Sequence, residues 1–208
     1  MALIASISGI RGTIGGRTTD GLNPLSIARF ACAYAFWLRG RCGLSEVKVV
    51  IGRDARLSGD MVNRTVVGAL LGCGIDVLDI GFATTPTVEM AVLEHKAHGG
   101  IVITASHNPR DWNALKLLNE RGEFVSNADG QSILKTAEAA DYLFPPVEEL
   151  GQYKTEWDFN TEEENIANWV KVQEREKSNR RSNSPSSDLT NIVMNSLASG
   201  YAYTESIG

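Results

Sequence analysis

Short apolar runs separated by helix-like stretches constrain this chain more than any other feature. Residues 47–51 and 101–105 are such runs, rich in β-branched side chains and too short for helices, and 75–80 reads as another strand. Between them the spacing is helical. Asn23 followed by Pro24 marks a helix start: Asn accepts from first-turn N–H groups, and proline lacks the N–H that would go unpaired there. Ile27, Ala31, Tyr34, Ala35 and Leu38 form its inward stripe, and Gly40 and Gly43 end it. Ser58 is expected to cap a second helix with Met61, Val62, Thr65, Val66, Ala69 and Leu70 as its core stripe; Thr85-Pro86 opens a third, and a fourth runs over about 129–140. Further strands are expected at 3–8 and 114–118. Strands alternating with helices predict an α/β fold: a three-layer domain with a mixed, mostly parallel sheet and helices on both faces. Ligands of such sheets sit beyond the carboxyl ends of strands, which points to the loops at 9–16, 52–59, 81–86 and 104–113.

The pattern ends near residue 150. Seventeen of the 20 glycines precede residue 151. After it come Glu162-Glu163-Glu164 and the polar stretch 171–188, with helical spacing only at 162–172 and 189–197. The expected organisation is one domain over 1–150, then a linker and an irregular or partly helical tail over 151–208. A net charge of −5 argues against nucleic acid or an anionic membrane as partner. No apolar run reaches the ~18 residues of a membrane span, and the N-terminus lacks the basic region of a secretory signal. Three cysteines without CxxC spacing are expected to be reduced thiols, which suits a cytoplasmic protein.

Four segments carry candidate chemistry. The run 101–105 leads directly into Ser106, His107 and Asn108, and Pro109 then stops regular structure. A hydroxyl, an imidazole and an amide thus stand at a strand's carboxyl end. Serine needs a base or strong electrostatics to act as a nucleophile. Lys116 follows Ser106 by ten residues in Asn113-Ala114-Leu115-Lys116, so a hairpin return would bring its amine to the serine. Arg11 lies between Gly9-Ile10 and Gly12, on a backbone free to approach a ligand closely, and its planar fork suits phosphate. Arg53, Asp54 and Arg56 follow another strand; they can bind an anion or pair with each other. His95 and His98 lack a third ligand nearby and are read as structural.

GIRG, GRDAR, TASHNP and NALK, in this order and each at a strand end, resemble the N-terminal domain of the α-D-phosphohexomutase family over about residues 1–150. That family includes phosphoglucosamine mutase, phosphomannomutase and phosphoglucomutase, and the opening SISGIRGTIGG is most similar to the first of these. The resemblance implies an isomerase that moves phosphate between the 1- and 6-positions of hexose phosphates. Ser106 matches the serine that carries the phosphoryl group. Arg11 and Lys116 match residues that assist proton transfer or stabilise charge, and His107 matches a neighbour that positions the loop. Asn108, Arg53, Asp54 and Asn113 match supporting positions. Ala114 departs from the family's usual glycine. In the whole family enzyme Mg²⁺ is held by the phosphoserine and by a DGDxDR loop of a second domain; no such loop occurs here, so of the metal ligands only Ser106 is expected. The chain is therefore expected to be truncated, weakly active or inactive alone, and able to contact the missing mutase domains or a full-length mutase. A non-catalytic sugar-phosphate-binding or interaction module, and a slow phosphatase, remain open readings.

Overall fold

The computed structural model describes residues 3–6, 9–17, 20–43, 46–157 and 159; the expectations for the tail from residue 160 onward lie outside the described residues. Seven strands form one sheet: β1 (Leu3–Ser6), β2 (Gly9–Thr13), β3 (Val47–Arg53), β4 (Ile75–Phe82), β5 (Gly99–Ile103), β6 (Trp112–Leu118) and β7 (Tyr153–Thr155). Among the described residues four α-helices accompany them: α1 (Pro24–Cys42), α2 (Gly59–Gly72), α3 (Thr85–Glu94) and α4 (Asn127–Ala139). The sheet order is β1-β2-β6-β5-β3-β4-β7. The sheet is mixed, as expected, but evenly so. It is parallel from β5 through β3 and β4 to β7, and antiparallel from β5 through β6 and β2 to β1.

The GIRG segment, expected as a loop, is strand β2. Its register pairs Arg11 with Ala114 of β6. Gly9 makes this possible: its φ is 132°, and a Cβ there would run into the Leu115 carbonyl. The glycine serves close strand approach, not a free turn.

Helix α1 starts as the sequence predicts. The Asn23 side chain accepts from the N–H groups of Leu25 and Ser26, both at 3.1 Å, and the Ser26 hydroxyl accepts from the Asn23 N–H at 3.0 Å. Ser58 behaves otherwise. It stands at the N-terminus of α2 but makes no side-chain cap bond, and its hydroxyl takes a hydrogen bond from Asn113 Nδ2 at 2.9 Å. Helices cover both faces of the sheet, unequally. One face buries Ile10, Leu115, Leu117, Ile101 and Ile103 under α1, α2 and α4. The other buries Val50, Val102 and Leu118 with Val88, Ala91 and Val92 of α3.

Residues 153–155 fall in the stretch expected as linker, yet they add β7 beside β4. A buried acceptor draws them in. The Asp79 carboxylate, on β4, takes hydrogen bonds from Asn63 Nδ2 at 2.7 Å, the Gly81 N–H at 2.9 Å and the Tyr153 hydroxyl at 2.9 Å. A buried carboxylate needs such donors. Among the described residues no helix is long and apolar enough to cross a membrane.

Tyr34 of α1 closes the core at the β5–β6 pairing. It is fully buried, and its hydroxyl faces the Leu118 carbonyl at 2.6 Å and the Gly100 carbonyl at 3.2 Å. Tyr34→Phe keeps the ring and removes this contact, so urea denaturation should show a loss of about 1–2 kcal/mol.

Candidate active site

Strand direction brings the functional loops to one end of the sheet. β3, β4 and β5 run parallel, so their carboxyl ends lie together. β6 runs against β5, so the connection from Ile103 to Trp112 turns back at that same end. This loop holds Ser106, His107 and Asn108. The 54–58 loop after β3 lies beside it, where the Asp54 N–H donates to the Ile103 carbonyl at 3.1 Å.

Ser106 is exposed and its backbone is left-handed, with φ of 53°. For a residue with a Cβ this costs about 1–2 kcal/mol, so the surroundings must impose it. The Ser106 N–H donates to Thr104 Oγ1 at 3.0 Å, and the Asn108 N–H to the Ala105 carbonyl at 3.1 Å. In this conformation Ser106 Oγ accepts a hydrogen bond from Lys116 Nζ at 2.9 Å. Strand β6 supplies the lysine through the register Val102↔Lys116.

Ala114 has its Cβ buried within regular strand, opposite Arg11. Lys116 reaches Ser106 nonetheless, so the departure from glycine leaves the pair intact. Arg11 and Lys116 are diagonal neighbours across β2 and β6, on the face opposite Leu115. Such neighbours lie roughly 7–8 Å apart, within reach of long side chains. Arg11 and His107 are exposed. The site edge therefore presents a hydroxyl, an amine, a guanidinium and an imidazole to solvent.

The other expected residues sit differently. Asn113 is fully buried; besides its bond to Ser58, its Oδ1 accepts from the Ala114 N–H at 2.8 Å. It fastens β6 to the start of α2 and cannot touch a ligand. The Arg53 guanidinium lies over the Phe82 ring at 4.3 Å. Asp54 pairs with Arg56, Oδ2 to Nε at 3.2 Å, and its Oδ1 accepts the Arg56 N–H at 3.1 Å. Of the two openings for this segment, anion binding or internal pairing, Asp54 and Arg56 take the second. Arg56 then reaches the carbonyls of Ser106, Asn108, Pro109 and Trp112, at 2.7–3.0 Å. Sequence reasoning missed this role because carbonyl acceptors leave no trace in side-chain identity.

Glu89 of α3 is a second residue the sequence does not point to. Its helix backbone packs against the turn at Gly122, whose φ is 69° and whose Cβ would meet the Glu89 carbonyl. Burial pushes its carboxyl up to about 7, opposed by the charge of Lys116. Burial in turn holds the Lys116 amine below its ordinary value, opposed by the charges of Glu89 and Asp54.

The described residues do not fit a magnesium site. No group of three or more His, Cys, Asp or Glu side chains among them is placed to hold a metal. Ser106 Oγ offers one oxygen, and the Lys116 amine lies 2.9 Å from it.

The model of the phosphoglucomutase/phosphomannomutase family, alpha/beta/alpha domain I, matches residues 4–143. The chain is 40% identical over 113 residues to a phosphoglucomutase/phosphomannomutase of Thermococcus kodakarensis, covering 53% of this chain and 25% of that one. It is 36% identical over 144 residues to a phosphomannomutase of Salmonella typhimurium, covering 68% and 30%. It is 38% identical over 111 residues to a phosphoglucosamine mutase of Clostridioides difficile, covering 50% and 25%. The chain thus spans between a quarter and a third of the length of these relatives. Among solved structures, a phosphoglucomutase/phosphomannomutase family protein of Burkholderia thailandensis superposes with a TM-score of 0.62 at 28% identity, over 73% of this chain and 32% of that one.

The Glu89 environment gives a pH signature. Its folded carboxyl keeps a proton that the unfolded chain releases from about 4.5 upward. The folded state binds more protons in the window up to about 7, so stability is highest below that window and falls as pH rises through it. Unfolding free energies from urea titration at pH 5 and pH 8 should differ by on the order of 1–2 kcal/mol, and Glu89→Gln should shrink that difference.

Proposed function

This chain belongs to the phosphoglucomutase/phosphomannomutase family through its alpha/beta/alpha domain I, and from that premise we propose that Ser106 carries the phosphoryl group in a phosphohexomutase-type transfer on hexose phosphates. The observation that carries this reading is the contact between Lys116 Nζ and Ser106 Oγ, at 2.9 Å, on an exposed serine held at positive φ.

Phosphoryl transfer asks mainly for positioning and for positive charge around the transferring group. When Ser106 Oγ attacks the phosphorus of a hexose bisphosphate, an Oγ–P bond forms and the bond from phosphorus to the sugar oxygen breaks. The Oγ proton must leave as this happens. Lys116 in its neutral form accepts it, and the burial that lowers the affinity of this amine for protons favours that form. The departing sugar oxygen takes its proton from solvent or from an acidic group of the site. In the return step a sugar hydroxyl attacks the phosphorus: the bond from phosphorus to the sugar oxygen forms as the Oγ–P bond breaks, the hydroxyl proton passes to solvent or to the group that gave one up before, and the Lys116 ammonium gives its proton back to Oγ. Arg11, the diagonal neighbour of Lys116, adds a bidentate cation for the phosphoryl oxygens. His107 is exposed beside the serine, which supports a role for it in meeting substrate.

The Mg²⁺ of the family would add charge stabilisation. No step above runs through it, because the described residues do not form its site. The chain alone is accordingly proposed to accept a phosphoryl group more readily than it turns over as a mutase. Intact-mass measurement after incubation with a hexose 1,6-bisphosphate tests the reading. Wild type should gain the mass of one phosphoryl group, Ser106→Ala should gain none, and Lys116→Met should slow the gain by roughly 100-fold. A wild-type chain that gains nothing, or gains it equally in Ser106→Ala, sinks the proposal.

A further inference from the structure

Arg56 is the most heavily bonded side chain near the serine, and it is almost hidden, with 13% of its side chain exposed. A guanidinium has five N–H donors. Nε donates to Asp54 Oδ2 at 3.2 Å. One terminal nitrogen donates to the carbonyls of Pro109 at 2.8 Å and Trp112 at 3.0 Å; the other donates to those of Ser106 at 2.7 Å and Asn108 at 2.8 Å. All five donors are engaged by the protein. None is left for a phosphate, so this arginine has a different task from Arg11.

Those four carbonyls span the whole turn from Ser106 to Trp112. They converge on one point, where without a cation their dipoles would repel and their lone pairs would lose a strong donor. The shortest of the four bonds is to Ser106 itself. Returning Ser106 to an ordinary negative φ would swing its neighbouring peptide planes and break that bond. The strain at Ser106 and the bond to its carbonyl therefore oppose each other, and hydrogen bonds to a charged donor are the stronger kind. We infer that Arg56 is a positioning residue of the phosphoryl-acceptor loop: its guanidinium, aimed by Asp54, binds four loop carbonyls and holds Ser106 in the left-handed conformation that presents Oγ to Lys116. Lysine cannot replace it, since an ammonium has three donors on a point charge and no planar fork.

The value of this role for transfer rests on the reading that Ser106 accepts a phosphoryl group, so the experiment uses two readouts. The first is amide hydrogen exchange of the full chain, compared between the 104–112 segment and the helices and strands of the core. The second is the rate of Ser106 phosphorylation by a hexose 1,6-bisphosphate. In Arg56→Ala the segment 104–112 should exchange at least ~10-fold faster while α1 and β3 keep their protection, and phosphorylation should slow by roughly 100-fold, the usual effect of misplacing a reacting atom by about 1 Å. Guanidinium ion at millimolar concentration should restore part of both, whereas ammonium at the same concentration should not. Arg56→Lys should resemble Arg56→Ala. If Arg56→Ala does not fold, Asp54→Asn leaves the guanidinium in place but unaimed and should show a smaller loss of the same kind. Unchanged loop exchange in these variants overturns the inference, as does a uniform rise across the core or rescue by ammonium as effective as by guanidinium. A wild-type chain that takes no phosphoryl group overturns the proposed function instead, and the exchange data still decide the role of Arg56.

Discussion

The pairing of β5 with β6 is the constraint on which the site depends. β5 is parallel to β3 on one side and antiparallel to β6 on the other. The chain therefore turns back at the end of the sheet where the parallel strands finish. That single reversal places the Ser106 loop among the strand ends and returns Lys116 to it. The register is set from the far side of the sheet. Leu115 and Leu117 are buried beneath α1, α2 and α4, and Tyr34 meets the Leu118 carbonyl. A slip of one residue would send both leucines to the opposite face and carry Lys116 into the core. Core packing on one face thus fixes a polar contact on the other.

The unequal helix layers explain why the polar face is accessible. Among the described residues three helices cover the face of Ile10 and Leu115, whereas α3 covers β3 and β5 on the other. Arg11 and Lys116, on the strands beyond α3, lie on this second face. A long cationic side chain can hold its stem against the sheet and keep its head near water there. Lys116 shows the balance: burial weakens its hold on a proton, while its amine still reaches an exposed hydroxyl. Glu89 stands on α3, on this same side, and is the counter-charge that burial weakens.

What the sequence shows and what it hides divide along physical lines. The helices were legible because their signals are local: Asn23 and Pro24 for α1, Thr85-Pro86 for α3, and the apolar stripes between. The Ser106–Lys116 return was legible because ten residues between two strands invite a hairpin. β2 was misread because glycines that permit a turn also permit close strand packing, and only the Leu115 carbonyl beside Gly9 separates the two. The Ser58 cap failed for a non-local reason, since Asn113, 55 residues away, takes its hydroxyl. β7 was hidden in a polar stretch because its attraction is the buried Asp79 carboxylate, visible only once the Tyr153 hydroxyl is seen to reach it.

Positive charge at the site likewise cannot be counted from residue types. Arg11, Arg53, Arg56 and Lys116 all stand within conspicuous motifs, and four cations there suggest a broad anion site. The structure divides them. Arg56 is saturated by four carbonyls and Asp54, so its charge acts on the loop backbone. Arg53 stacks on Phe82. Arg11 and Lys116 are left, on two adjacent strands and one face. Two cations so placed suit a single small anion more than an extended polyanion, in keeping with a chain of net charge −5. The cations that do not face the site build the surface on which the other two work: a serine held against its own backbone preference is useful only if something stronger holds it, and a largely covered guanidinium with every donor engaged is suited to that.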